Sequence, residues 1–258
     1  MRSGFKCFFQ LIRREMYLFF KEFLSRFIDI SVTMTTWVIV FGYLMANSGL
    51  KGSYGSFILV GAIASFGLFE TIQRATCLAQ DVTDKKITNF LILPISSSWV
   101  FVSIAVSWAI STAILAFCLF PLGKIILWEQ FDLGKISWMK FFLIFLTSNL
   151  FYGFFALWIS SYVVNLRNIS WLWCRVINPL YMFCGFFYTW QSAYDLAHWV
   201  GYLHLLNPLI YVLEGTKASV LGQAGYLPYW GCVFVLWVFT AFFGYDAIRK
   251  FKKRIDFV

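Results

Sequence analysis

The sequence has little charge and few residues that break helices. Only 13% of its 258 residues are Asp, Glu, Lys or Arg, and only five are proline. A soluble domain usually has about 25% charged and about 45–50% apolar residues, whereas 60% of this chain is hydrophobic. Such a composition excludes an ordinary soluble enzyme or binding domain. It predicts an integral membrane protein.

Motifs that bind metals or nucleotides are also missing from the sequence. The six cysteines are scattered singly, and the two histidines do not have the spacing of a metal site. No G-x-x-x-x-G-K-[ST] stretch is present, so the chain lacks a phosphate-binding loop of that type. We therefore predict no metal, no cofactor and no catalytic residue in this chain, and any ATP hydrolysis belongs to another polypeptide.

Long apolar runs make up most of what is present. A membrane-spanning helix needs roughly 20 mostly apolar residues to cross about 30 Å of hydrocarbon. Six stretches meet this need: 29–46, 55–78, 98–122, 138–164, 171–190 and 227–246. The expected fold is an all-α integral membrane protein with six spans, in one domain over residues 1–258.

The basic residues predict how these spans are oriented. With six spans and the N-terminus inside, most of the 21 Lys and Arg residues fall on the cytoplasmic side, in 2–26, 74–86, 167–175 and 249–254. Positively charged loops are retained on that side, so both termini are expected in the cytoplasm. A basic rim facing anionic lipid headgroups explains the net charge of +9 without nucleic acid.

Two further segments are predicted to lie at the membrane surfaces. Residues 4–22 alternate a basic stripe with a phenylalanine-rich face, which is typical of a helix lying flat in the cytoplasmic interface. Residues 191–226 are semi-apolar and aromatic but are interrupted by glycine, proline and charge. They predict short helices at, or dipping into, the outer face, where Trp and Tyr are favoured.

A short helix is predicted over residues 81–94, between the second and third spans. Thr83 or Asp84 can cap its start, and Pro94 ends it. An apolar surface ringed by charge would then face the cytoplasm, and such a surface favours a protein partner over a plain loop. The residues that form it are Asp81, Asp84, Lys85, Lys86, Ile87, Phe90, Leu91 and Pro94.

The order of these segments resembles that of the ABC-2 type family of ATP-binding-cassette export permeases. Four local stretches are similar as well: "RREMYLFFKEF" at 13–23, "NFLILPISSSWVFVS" at 89–103, "NPLYMFCGFFY" at 178–188 and "LNPLIYVLEGTKASVLG" at 206–222. The sequence departs from the resemblance at Lys85 and Lys86, where relatives often carry Gly or Glu.

The resemblance implies a transport subunit with partners. Two copies of the chain, or this chain and a related one, would surround a central conduit in a bacterial inner membrane. Two ATPase subunits, which bind ATP and magnesium, would dock on the 81–94 helices and push on the spans. The implied cargo is a lipid-linked glycan, a lipid or a hydrophobic drug.

Candidate conduit residues come from charge and from position. Glu70 and Arg74 are four residues apart in the second predicted span, a spacing that favours an ion pair on one helix face. They either line the conduit or lie near the cytoplasmic headgroups. Aromatic residues that flank the outer segment are candidates for a gate: Tyr181, Phe187, Tyr188, Trp190 and Tyr211.

Two other functions are compatible with the sequence. Asp195, His198 and His204 are close in sequence at the outer face and could serve acid–base chemistry in a lipid-modifying membrane enzyme. A passive channel or an assembly scaffold would work without nucleotide. Replacing both histidines would abolish activity only for the enzyme, and ATP depletion would leave only the channel working.

Overall fold

The structure, a computed structural model, describes residues 2–44, 54–83, 95–128, 131–163 and 169–256. All of the secondary structure assigned in these ranges is helical. The long helices are α1 (Arg2–Ile39, continued by a π-helical turn Val40–Leu44), α2 (Tyr54–Thr83), α3 (Ser97–Ile126), α4 (Trp138–Tyr162) and α9 (Tyr229–Asp256). The shorter helices are α5 (Ile169–Leu172, Trp173–Ile177 and Asn178–Met182), α6 (Trp190–Leu196), α7 (His198–His204) and α8 (Pro208–Val220).

Five helices within the described ranges are long and apolar enough to cross a membrane. They cover Gly4–Leu44, Tyr54–Val82, Ser97–Ile126, Trp138–Tyr162 and Tyr229–Lys253. Each overlaps one of the apolar runs in the sequence, because hydropathy reports directly on whether a helix can be buried in lipid. The all-helical membrane class predicted from composition therefore agrees with the structure.

The run at 171–190 does not form one continuous helix in the structure, unlike the single span predicted there. Helical structure in the described residues reaches only from 169 to 182, about 21 Å, which is too short for the hydrocarbon core. Pro179 has no N–H to donate to the preceding turn, and a π-helical turn at Trp173–Ile177 lies just before it. Gly185, at φ +80°, then turns the chain away from the helix.

The predicted surface helix at 4–22 and first span at 29–46 are joined in the structure. No glycine or proline occurs between Gly4 and Gly42, so nothing in the sequence breaks the helix there. α1 follows α3 along its length, from the Phe8 ring against Trp99 to the Tyr43 hydroxyl, which donates to the Ile126 carbonyl. The predicted surface helix is therefore the N-terminal half of α1.

The first four long helices alternate in direction, whereas α9 runs parallel to α4, and the ends of the helices come together in two clusters. At one end, Leu11 of α1, Leu78 of α2, Phe101 of α3, Leu157 of α4 and Phe251 of α9 share a buried cluster. The Phe101 and Phe251 rings stack there with their centroids 4.4 Å apart. The start of α1 and the end of α9 therefore lie at the same end of the bundle.

At the opposite end, a second buried cluster joins α1, α2, α3 and the start of α4. It contains Val38, Leu59, Leu119 and Phe141. In the segment predicted to lie at, or dip into, the outer face, α8 is buried among α2, α4 and α9. In the same segment, α6 and α7 expose large apolar side chains, among them Leu196 and Trp199.

Candidate functional site

A cleft of about 680 Å³ lies between α1, α2 and the chain around the end of α5. It combines charged, hydroxyl-bearing and aromatic side chains. Its lining consists of Glu22, Ser25, Arg26, Asp29, Ile30, Thr33, Met34, Trp37, Ala62, Ser65, Phe66, Phe69, Glu70, Gln73, Leu119, Tyr181 and Phe186. A cavity of this size is within the range of small-molecule sites in proteins.

Four charged residues at one end of the cleft form a linked set, the charged quartet of Glu22, Arg26, Glu70 and Arg74. The Arg26 guanidinium pairs with the Glu22 carboxylate at 2.7 Å and also with Glu70. Arg74 donates to the same Glu70 oxygen at 3.0 Å. Glu70 is therefore shared by two arginines, one on its own helix and one on α1, and only 6% of it is exposed.

Arg74 is directed into the bundle. Its Nη1 donates to the Ser111 hydroxyl of α3 at 3.2 Å, and its guanidinium lies over the Phe19 ring at 5.6 Å. Its buried Nη2 has no partner among the described residues. Glu70 lines the cleft, and Arg74 lines a second, smaller cavity.

The charged quartet separates the cleft from a smaller cavity of about 220 Å³. Glu22 and Arg26 border both cavities. The smaller one continues toward the end of the bundle where the chain termini lie, and it is lined by Glu15, Asp81 and Trp108 among others. The groove between α1 and α2 is thus two cavities in line, divided by ion pairs.

Aromatic rings close the other end of the cleft. The Trp37 ring meets Phe186 edge-on at 4.9 Å and lies parallel to Phe187 at 6.0 Å. The Tyr181 ring packs edge-on against Phe69 at 4.9 Å. Of the predicted gate residues, Tyr181 lines the cleft and Phe187 packs behind Trp37.

The other three predicted gate residues hold the outer segment together. The Tyr188 hydroxyl bonds to Nε2 of His204 at 2.6 Å. The indole of Trp190 donates to the Gly201 carbonyl at 2.9 Å, and the Tyr211 hydroxyl donates to the Leu205 carbonyl at 2.8 Å. None of these three is among the residues that line the cleft.

Two buried charged side chains on α8 form hydrogen bonds with the backbone near the aromatic end of the cleft. The Glu214 carboxylate accepts backbone N–H groups from Trp190 at 2.9 Å and Leu227 at 3.1 Å. The Lys217 ammonium donates to the Gly185 carbonyl at 2.7 Å and lies 3.4 Å from the centre of the Phe57 ring. α8 is not one of the five helices that are long and apolar enough to cross a membrane. Burial of its two charged side chains lowers the pKa of Lys217 and raises the pKa of Glu214, because burial disfavours the charged form of each group.

The chain is similar in sequence to a known protein family. The sequence model of the ABC-2 type transporter family matches residues 6–221, which extend from α1 to the end of α8. The chain belongs to the ABC-2 type transporter family. No curated protein matches it. As an ABC-2 chain it is the permease part of an ABC transporter, and such permeases generally work with an ABC ATPase.

Most of the predicted ATPase contact of this ABC-2 permease lies outside the described residues. Asp84, Lys85, Lys86, Ile87, Phe90, Leu91 and Pro94 fall in 84–94, which the structure does not describe. Asp81 is described, and it lies in the last turn of α2 rather than in a separate short helix. There it borders the smaller cavity, at the end of the bundle where the chain termini lie.

The residues proposed for acid–base chemistry do not converge in the ABC-2 permease. His204 is buried between Tyr188 and the Val200 carbonyl, which its Nδ1 contacts at 2.7 Å. Asp195 accepts from Gln191 at 2.8 Å, and His198 packs against the Tyr194 ring. These separate partners give the lipid-modifying enzyme no shared site. In the described residues no three His, Cys, Asp or Glu side chains are grouped to hold a metal.

The sequence predicted only Glu70 and Tyr181 among the residues that line the cleft, and it missed Arg26, Asp29 and Trp37. Arg26 pairs with Glu70 across 44 positions of sequence, and such a pairing leaves no local pattern. A weaker signal was present, since Glu22 and Arg26 have the same four-residue spacing as Glu70 and Arg74. Trp37 is one of 12 tryptophans, and nothing in the sequence distinguishes it from those that face lipid.

Proposed function

We propose that this ABC-2 permease moves an amphipathic cargo outward through the groove between α1 and α2, driven by a separate ATPase. The charged quartet is the observation that carries this function. Glu70 lies near the middle of the candidate span Tyr54–Val82. A charge at the centre of a bilayer costs about 2.5–3.5 kcal/mol on insertion scales, so it is retained where it serves a pathway.

The two cavities support a path for the cargo that is closed while the Arg26–Glu70 ion pair is formed. The smaller cavity lies toward the end of the bundle that carries Arg249, Lys252 and Lys253, which we assign to the cytoplasm because of their charge. The larger cleft continues toward the opposite face. Movement of α1 against α2 would break the Arg26–Glu70 pair and join the cavities. ATP-driven rocking of helices is a movement of that kind.

The lining of the cleft favours a cargo with one polar and one apolar part. The charged quartet and the hydroxyls of Ser25, Thr33 and Ser65 suit a polar group, whereas Trp37 and Phe66 suit rings or acyl chains. A lipid-linked glycan, a lipid or a hydrophobic drug meets this description. Each could enter from the cytoplasm or from the inner leaflet of the membrane.

The assembly that we propose has two permeases and two ATPases. Two copies of this chain form the conduit, and each copy contacts one ATPase through residues 81–94. ATP and magnesium bind to the ATPase. The complex lies in a bacterial inner membrane with both permease termini in the cytoplasm. The shared position of the start of α1 and the end of α9 supports termini on one side.

Co-expression with an ATPase encoded beside the permease gene tests this function. We expect the two proteins to purify together and vesicles containing both to move a fluorescent lipid only when ATP is supplied. An ATPase variant without its phosphate-binding lysine is the control, and it should bind the permease without supporting transport. Transport that continues after ATP depletion would indicate a passive channel instead.

Changes in the predicted contact test how the ATPase docks. Reversing the charge of Lys85 and Lys86 together with Phe90→Ala should separate the ATPase from the permease and stop transport. The same three changes should leave the yield of membrane-inserted permease unaltered. If transport is unchanged in that variant, residues 81–94 do not couple the two subunits.

A further inference from the structure

We propose that the cleft binds a cationic group of its cargo, and that the Asp29 carboxylate is the counter-ion. Asp29 lies on α1 and lines the cleft. The inference rests on the proposed function, and it narrows the cargo to amphipathic molecules with a positive charge, such as a protonated amine or a quaternary ammonium or phosphonium group.

No basic side chain among the described residues pairs with Asp29, although Arg26 is close in sequence. Arg26 is three residues away on the same helix, a spacing at which the two could pair. Its guanidinium is instead taken up by Glu22, at 2.7 Å, and by Glu70. Among the described residues, no side chain pairs with the Asp29 carboxylate; only its backbone carbonyl is used, accepting from the Thr33 hydroxyl.

The cleft carries an excess of negative charge. Glu22, Asp29 and Glu70 line it, whereas Arg26 is its only basic residue among those described. Arg74 is not part of the lining, but it pairs with Glu70 and so compensates one more negative charge. One carboxylate therefore remains uncompensated, and Asp29 is the one without a partner.

The packing of α1 against α2 sets the level of Asp29 along the bundle. Arg26 pairs with Glu70, and Gly42 lies against Gly55, so α1 and α2 run antiparallel. This register places Asp29 at about the level of Gly67, near the middle of the candidate span Tyr54–Val82. A carboxylate at that depth faces protein or a solvated path and normally has a positive partner. Within the described chain that partner is missing, so a ligand can supply it.

Aromatic rings line the same cleft as the Asp29 carboxylate. Asp29, Thr33 and Trp37 recur at intervals of four residues, which places them along one side of α1. Trp37, Phe69 and Tyr181 line the same cleft as Asp29. Aromatic faces attract cations, Trp most strongly, and the attraction increases where water is excluded. A carboxylate beside aromatic walls is a suitable site for a lipophilic cation.

Binding of tetraphenylphosphonium tests the proposal, with tetraphenylborate as a probe of the same shape and opposite charge. The purified permease–ATPase complex in nanodiscs is dialysed against each probe, and binding to empty nanodiscs is subtracted. We expect saturable binding of the cation, and Asp29→Asn should raise its Kd by about tenfold or more. The same change should not weaken binding of the anion.

Two variants serve as controls. Asp29→Glu keeps the charge and should keep the Kd within about threefold of the original. Asp195→Asn removes an exposed carboxylate that is not part of the cleft lining and should leave the Kd unchanged. All variants must elute as the same complex as the unmodified protein, which shows that a loss of binding is not a loss of fold.

Several outcomes would overturn the proposal. One is equal binding of the cation by the unmodified protein and Asp29→Asn, and another is binding of the anion with the same dependence on Asp29. A third is dissociation of permease copies in Asp29→Asn, because a basic side chain of a second copy would then be the partner. Failure of the proposed function would be seen separately, as a permease that does not purify with the ATPase.

Discussion

At the scale of single residues, Glu70 is the group on which the charged quartet depends. Its carboxylate is buried and receives Arg26 from α1 and Arg74 from α2. Glu70→Gln would leave two guanidinium groups inside the bundle with less compensation. Removing one partner of a buried ion pair costs about 3–5 kcal/mol. We expect the thermal midpoint of the purified permease to fall by roughly 10 °C, measured by fluorescence-detected size-exclusion chromatography.

Glu22→Gln is the matched control for that measurement. Glu22 also pairs with Arg26, but 63% of its side chain is exposed. An exposed pair contributes about 0–1 kcal/mol, so the thermal midpoint should change by no more than about 3 °C. Equal shifts for the two variants would mean that Glu70 has no special role in holding α1 against α2.

Residue spacing predicted half of the charged quartet. Glu70 and Arg74 lie four apart on one helix, and their pairing follows from helix geometry alone. Arg26 could not be assigned in the same way, because its contact with Glu70 depends on how α1 packs against α2. Asp29 has the same difficulty, since its depth follows from that packing and not from its position in an apolar run.

At the scale of helices, Gly153 sets the distance between α3 and α4. A Cβ at this position would overlap the backbone carbonyl oxygen of Ala105, which cannot move without shifting α3. Overpacking of this kind typically costs about 1–3 kcal/mol. We therefore expect Gly153→Ala to lower the thermal midpoint and the yield of folded permease, although alanine is the better helix former.

Gly231→Ala in α9 is the control for this change. A Cβ there would meet only Pro228, at 3.9 Å, so the substitution should keep or raise the thermal midpoint. If Gly153→Ala is as stable as Gly231→Ala, α3 and α4 are not in close backbone contact.

Hydropathy predicted the long helices but not the interrupted one. α2, α3, α4 and α9 are apolar over enough length to be recognised from composition. Residues 171–190 also contain many apolar side chains, yet Pro179 and Gly185 stop the helix at Met182. The consequence of one proline and one glycine depends on tertiary contacts, such as the bond from Lys217 to the Gly185 carbonyl, which composition does not report.

At the scale of the whole molecule, the path of the chain reconciles five long helices with termini at one end. α4 runs from the end where Tyr229 donates to the Lys140 carbonyl, at 2.7 Å, to the cluster that contains Leu157. α9 begins at Tyr229, back at the first end. Residues between α4 and α9 must therefore return the chain along the bundle. α5 and the segment after it are the described residues available for this return, and an interrupted crossing there agrees with the proposed position of both termini.

The topology that we propose, with both termini in the cytoplasm, predicts which positions reagents can reach from outside the cell. Ala224 lies in the exposed turn between α8 and α9, and Lys252 lies near the end of α9, at opposite ends of the bundle. In a variant with the six native cysteines replaced by alanine, we introduce Ala224→Cys or Lys252→Cys. A membrane-impermeant maleimide should label the first in intact cells and the second only after the cells are opened, because α9 separates them across the bilayer.

A cysteine at Gln10, in the N-terminal half of α1, should behave like the one at position 252. Labelling of positions 10 and 252 on opposite sides would mean that α5 does not carry the chain across, and the two-cavity groove would then not be a route between the two faces of the membrane.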